Sequence, residues 1–205
     1  MYYFREHNLY FLAQPRTASR AVAKVMMDLG AKQSADHHGI GKIPDGAFVM
    51  STVRNHWDAL VSWYTILQEA RNLSLYQWIT THVVTGRTDA ARHFIPHKLY
   101  WRYLPYTTYV LRYESLNDDL CWCLQRHGLT FGTTQVISDS GSNRAGRQYA
   151  LFYDSRSIHA VYDYYGDEIE RLGYSFDTLT QVDCARRNNW GDNPMCDEAR
   201  TPHRL

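Results

Sequence analysis

YFLAQPRTASR, residues Tyr10 to Arg20, decides how this chain is read. An apolar run ends at Gln14-Pro15, and a turn carrying Arg16, Thr17, Ala18, Ser19 and Arg20 follows. Beyond the turn Val22, Val25, Met26 and Leu29 recur at helical spacing, and Gly30 stands where a helix terminator belongs, so the pattern predicts a strand over 9–13 and a helix over 17–29. The first N–H groups of such a helix have no carbonyl partner and point into the turn. With the positive end of the helix dipole, two hydroxyls and two guanidinium groups, they converge on a space that suits a phosphate or sulfate. No glycine or lysine lies between Phe11 and Val22, so the glycine-rich loop of nucleotide hydrolases, with its lysine, is absent.

A second strand-turn-helix unit follows. AFVMSTV, residues 47–53, reads as a buried strand after the Pro44-Asp45-Gly46 turn and runs directly into Arg54-Asn55 and a helix expected over 56–70. Trp57, Leu60, Val61, Tyr64 and Leu67 or Gln68 trace the core face of that helix. Ser62 falls on the other side with Asn55, Asp58 and Ala59, where it would face the same polar crevice as Arg54.

The rest of the chain reads as a helical or irregular segment over 74–104, a strand over 107–113, a helix over 115–127, a loop over 129–153 and a helix over 154–172. Ile158, Val161, Tyr162, Tyr165, Ile169 and Leu172 form the apolar stripe of the last helix, and Gly173 ends it. Strands alternating with helices imply an α/β fold, a mostly parallel sheet with helices on both faces. Both basic turns then lie at the carboxyl ends of strands, where open sheets of this kind bind ligands. Residues 1–176 read as one domain and 177–205 as a polar tail.

Composition narrows the function classes. A net charge of +1 provides no global field for nucleic acid or an acidic membrane surface, so basic character has to be local. Neither a leader pattern nor a membrane-length apolar run is present, which implies a cytoplasmic protein. Cys121 and Cys123 sit two apart on a predicted helix, and Cys184 and Cys196 fall in the tail, so reduced thiols are expected. Among ten histidines no His-Glu-x2-His occurs and Pro96 separates His93 from His97, so no metal is expected.

Three segments together carry a family resemblance. PRTASR resembles the 5′-phosphosulfate loop of sulfotransferases that use 3′-phosphoadenosine-5′-phosphosulfate (PAPS), with Arg16 in place of lysine, Ala18 in place of glycine and Arg20 in place of a hydroxyl residue. VRNHWDALVSWY is similar to the family's 3′-phosphate motif, an arginine at a strand end and a serine eight residues later, here Arg54 and Ser62. SNRAGRQYALFYDSRSIHAVYDYYGDEIERLGYSF resembles the closing segment of carbohydrate-type and bacterial sulfotransferases, and places Asn143, Arg144 and Arg147 near the cofactor's 3′-phosphate. TYVLRYESL is similar to a strand and turn whose tyrosine approaches the adenine, which makes Tyr113 a candidate contact and Glu114 a residue that orders the turn. The resemblance covers roughly residues 9–176. It implies a three-layer, P-loop-related sulfotransferase fold, PAPS as cofactor with adenosine 3′,5′-bisphosphate (PAP) as product, and a small-molecule or carbohydrate hydroxyl acceptor.

Sulfuryl transfer requires a base for the acceptor hydroxyl and positive charge against the sulfonate and leaving phosphate. Arg16 suits the second task, through bidentate hydrogen bonds rather than as an acid. Asp36-His37-His38-Gly39 offers the base, because family members often carry a histidine between the two cofactor motifs. A neutral imidazole is available near neutral pH, Asp36 is a candidate to orient one ring, and the sequence leaves His37 and His38 both open. Tyr76, Trp78, His82, His93, His97, Tyr100, Trp101 and Tyr103 read as core first and as an acceptor-facing aromatic wall second. Two other function classes fit the same residues: a non-catalytic module binding a phosphorylated nucleotide or sulfated ligand, and an atypical nucleotide kinase.

Overall fold

The computed structural model describes residues 1–34, 36–87, 98–130 and 148–176. Their strands are β1 (Tyr2–Phe4), β2 (Leu9–Leu12), β3 (Lys32–Gln33), β4 (Phe48–Val53) and β5 (Tyr109–Arg112). The helices are α1 (Ser19–Asp28), α2 (His56–Tyr64), α3 (Leu75–Trp78), α4 (Leu116–Arg126) and α5 (Ser155–Leu172). The fold is α/β, and the residues fall into two compact units, one built from 1–53 and 103–130, the other from 54–102 and 148–176.

The first unit holds a five-stranded mixed sheet of order β3-β1-β2-β4-β5. β2, β4 and β5 are parallel, with Phe11 opposite Met50 and Ser51 opposite Val110, while β1 runs antiparallel to both β2 and β3. Side chains alternate across β2 as the strand period requires. Leu9 and Phe11 join Met50, Leu111 and the apolar stripes of α1 and α4 in one core cluster. Tyr10 and Leu12 face the other way, against Val49, Tyr103, Ile40 and Ile43. Burial on both faces explains why β2 reads as a continuous apolar run. Within this unit both helices lie over one face, and the opposite face is packed partly by irregular chain carrying Ile40 and Ile43.

Sequence periodicity did not indicate β1 and β3. Three consecutive aromatic-rich residues show no alternation in β1, and both residues of β3 are exposed. The start of α1 also differs from the expected residue 17. Arg16 (φ 63°) and Ala18 (φ 59°) are left-handed, so the chain enters helical geometry only at Ser19.

In the second unit Asn55 caps α2 by accepting the Trp57 N–H at 3.1 Å and donates to the Ser175 carbonyl at 2.8 Å. α2 ends at Tyr64, short of the expected residue 70, and a separate 3₁₀ turn occupies Gln68–Ala70. Every residue from His56 to Trp63 is buried. Asp58 and Ser62, expected beside the same polar crevice as Arg54, are 2% and 5% exposed. α3 opens on a Ser74/Gln77 capping box and continues into a π-helical turn, Ile79–Val83.

α5 opens on an Asp154/Ser157 capping box and ends at left-handed Gly173, as its sequence predicts. Tyr162, expected in its core stripe, is exposed, and Glu168 is buried instead. Trp78 and Tyr100 are core residues of this unit, while Trp101 is exposed.

Cys121 and Cys123 are free thiols, and burial pushes the Cys123 thiol well up, so it stays protonated. Cys184 and Cys196 lie outside the described residues, as does the tail. Among the described residues no helix is long and apolar enough to cross a membrane, and no three His, Cys, Asp or Glu side chains are grouped to hold a metal ion.

Candidate functional site

The loop between β2 and α1 carries two left-handed residues that are not glycine. Left-handed backbone costs an L-residue about 1–2 kcal/mol, and Arg16 and Ala18 both adopt it. Ala18 stands where the resembling family has glycine, and its backbone keeps the conformation that glycine adopts freely. Thr17, fully buried, donates its hydroxyl to the Gln14 carbonyl at 2.8 Å and pairs with the Thr52 hydroxyl, which fastens the loop to the ends of β2 and β4. No side chain caps α1, and its first turn contains no acidic residue. Ser19 is buried at the first helical position, Arg20 is exposed and Arg16 is half-buried. Two left-handed residues within three positions, ahead of a helix N-terminus, are a backbone pattern found in turns that bind anions.

The two histidines that the sequence left open are distinguishable here. His38 Nδ1 lies 2.6 Å from the Ala13 carbonyl oxygen, at the carboxyl end of β2. A carbonyl can only accept, so Nδ1 carries a proton, and in the neutral ring the lone pair lies on Nε2. The main chain of His38 is held as well, by the Tyr103 hydroxyl donating to its carbonyl at 2.8 Å.

His37 is differently placed. Its Nδ1 meets the Tyr2 hydroxyl at 2.5 Å, and its Nε2 is buried without a hydrogen-bond partner among the described residues. Burial, then the neighbouring His38, Arg20 and terminal amine, hold this ring down to about 4. The rings of His37 and His38 pack edge to face at 4.4 Å. Hydrogen bonds with the Tyr2 hydroxyl and the Ala13 carbonyl set their orientations, while Asp36 supplies its main-chain carbonyl to the terminal amine at 2.8 Å.

In the second unit Arg54 is 4% exposed, and its Nε donates to Asp58 Oδ2 at 2.5 Å. Asp58, one helical turn on, is thus the buried counter-ion of Arg54, a partner the sequence reading had placed on the helix without assigning it this role. The main chain at Arg54 is fixed too, because the Tyr100 hydroxyl donates to its carbonyl at 2.6 Å. Ser62 is buried on α2, and its carbonyl accepts from the Thr65 hydroxyl at 3.3 Å.

Tyr113 and Glu114 form a half-buried 3₁₀ turn, Tyr113–Ser115, after β5 in the first unit. Asn143, Arg144 and Arg147, with His93 and His97, lie outside the described residues. Comparison with protein-family models, with curated proteins and with solved structures gives no match for this chain.

Proposed function

We propose that this protein is a PAPS-dependent sulfotransferase of the three-layer, P-loop-related kind, transferring a sulfuryl group to a hydroxyl acceptor. The observation that carries the reading is the bond from His38 Nδ1 to the Ala13 carbonyl. It fixes the ring at the strand end that leads into the 16–20 loop, in the tautomer whose neutral form carries its lone pair on Nε2. A solvated surface pair of histidines would need no such hold.

In this reading the N–H groups of the 16–20 loop, with Arg16, Thr17, Ala18, Ser19 and Arg20, take the 5′-phosphosulfate. Arg54 and Ser62 take the 3′-phosphate, as their motif implies, and Tyr113 contacts the adenine. His38 Nε2 accepts the acceptor's hydroxyl proton while that oxygen forms its bond to sulfur. The bond from sulfur to the 5′-phosphate oxygen breaks, and the electron pair leaves with PAP. Arg16 stabilises the charge that develops on the sulfonate and phosphate oxygens. The acceptor is a small molecule or carbohydrate, and the chemistry needs neither metal nor redox cofactor.

Thermal stabilisation by PAP but not by Mg-ATP separates this reading from a kinase. Transfer of label from PAPS across a panel of sugars, phenols and alcohols separates it from an inert binder. Stabilisation by Mg-ATP alone would overturn it.

A further inference from the structure

Glu168 is a carboxylate-bearing side chain on the core face of α5, 6% exposed, and both of its oxygens have hydrogen-bond partners. Oε2 accepts from the Leu99 N–H at 2.6 Å and faces His56 Nε2 at 2.8 Å, while Oε1 accepts from the Tyr100 N–H at 3.0 Å. Three donors on two oxygens pin the ring of the first residue of α2 and the main chain at 99–100. The Tyr100 ring lies against His56 at 5.1 Å, edge to face, and its hydroxyl continues to the Arg54 carbonyl. Arg54 is therefore held from both sides by one carboxylate, through His56 two residues after it and through Tyr100.

We infer that Glu168 is a positioning residue for Arg54, acting through His56 and Tyr100 to fix the main chain from which the guanidinium projects. Burying a carboxylate is costly unless it is hydrogen-bonded, and a leucine at this position would fill the same core. The donors converge on main chain that carries the one buried arginine among the described residues, which apolar packing does not require. The inference rests on reading Arg54 as a ligand for the cofactor's 3′-phosphate.

Two readouts separate the inference from that reading. The first is hydrogen exchange at Arg54 Nε–H, followed by NMR without ligand. Tyr100→Phe keeps the ring and removes only the hydroxyl bond. It should accelerate exchange at least about tenfold, Glu168→Gln should do so as much or more, and the double variant should add little to Glu168→Gln alone. Tyr64→Phe, which removes the hydroxyl bond to Leu73 in the same unit, serves as the control and should leave Arg54 unchanged. Should Glu168→Gln fail to fold, Glu168→Asp, which withdraws the carboxylate by one methylene, replaces it. Unchanged exchange at Arg54 in Tyr100→Phe and the Glu168 variant overturns the inference, as does equal acceleration in the control.

The second readout is affinity. Tyr100→Phe should weaken PAP about three- to tenfold, the worth of one hydrogen bond, and leave adenosine 5′-phosphate within twofold. Wild-type protein that binds the two nucleotides equally refutes the ligand role of Arg54, and the exchange arm still decides whether Glu168 positions it.

Discussion

His38 and His37 are adjacent and have opposite environments, so single substitutions should separate them. His38→Ala removes the proposed base. It should leave PAP affinity within about twofold and lower turnover on the order of a hundredfold or more in a labelled-PAPS assay. Full turnover in His38→Ala would remove the residue from the mechanism. His37 instead carries an acid sensitivity. Its folded-state value, about 4, lies below the ordinary 6.5, so the unfolded chain binds a proton before the folded one does. Stability should be level above about 6.5 and fall as pH drops toward 4. In urea melts across that window His37→Asn should flatten the slope, and an unaltered slope would assign the acid sensitivity to other groups.

Arg54 calls for a paired design. Arg54→Ala strands the Asp58 carboxylate in a buried site, which typically costs about 3–5 kcal/mol and obscures any effect on binding. Arg54→Gln with Asp58→Asn keeps both positions polar and uncharged. It should recover most of that loss in a denaturant melt while still weakening PAP more than adenosine 5′-phosphate. A double variant no more stable than Arg54→Ala would contradict the buried pairing.

At the scale of elements, the loop before α1 links sequence to strain. Ala18→Gly relieves a left-handed Cβ and loosens the unfolded chain, a net gain of about 0.5–1 kcal/mol by chemical denaturation. Ala18→Val should lose more than that. Destabilisation by glycine would mean that the loop does not hold this conformation in solution.

The elements also show what the sequence made legible. β2 and β4 were readable as short apolar runs, the one ending before Pro15 and the other following Pro44-Asp45-Gly46, and α1 and α5 by one helical period ending at Gly30 and Gly173. β1 and β3 were not, being two or three residues long and without alternation. α2 was legible in its start but not in its length, which ends at Tyr64, and with every residue from His56 to Trp63 buried its polar side is interior as well as its apolar one. The burial of Glu168 had a signal that went unused, since it stands seven residues after Val161 and four before Leu172, on the core face of α5. The choice between His37 and His38 had none, because it depends on Ala13 and Tyr2, distant in sequence and brought close only by the sheet.

For the whole molecule the central claim is that a 3′-phosphorylated adenosine nucleotide is the ligand. Calorimetric titration with PAP and with adenosine 5′-phosphate under one set of conditions tests it most directly. Removing one charge-assisted contact is worth about 1.5–3 kcal/mol, so PAP should bind at least about tenfold more tightly. Equal affinity for the two nucleotides, or no binding of either, would contradict the account.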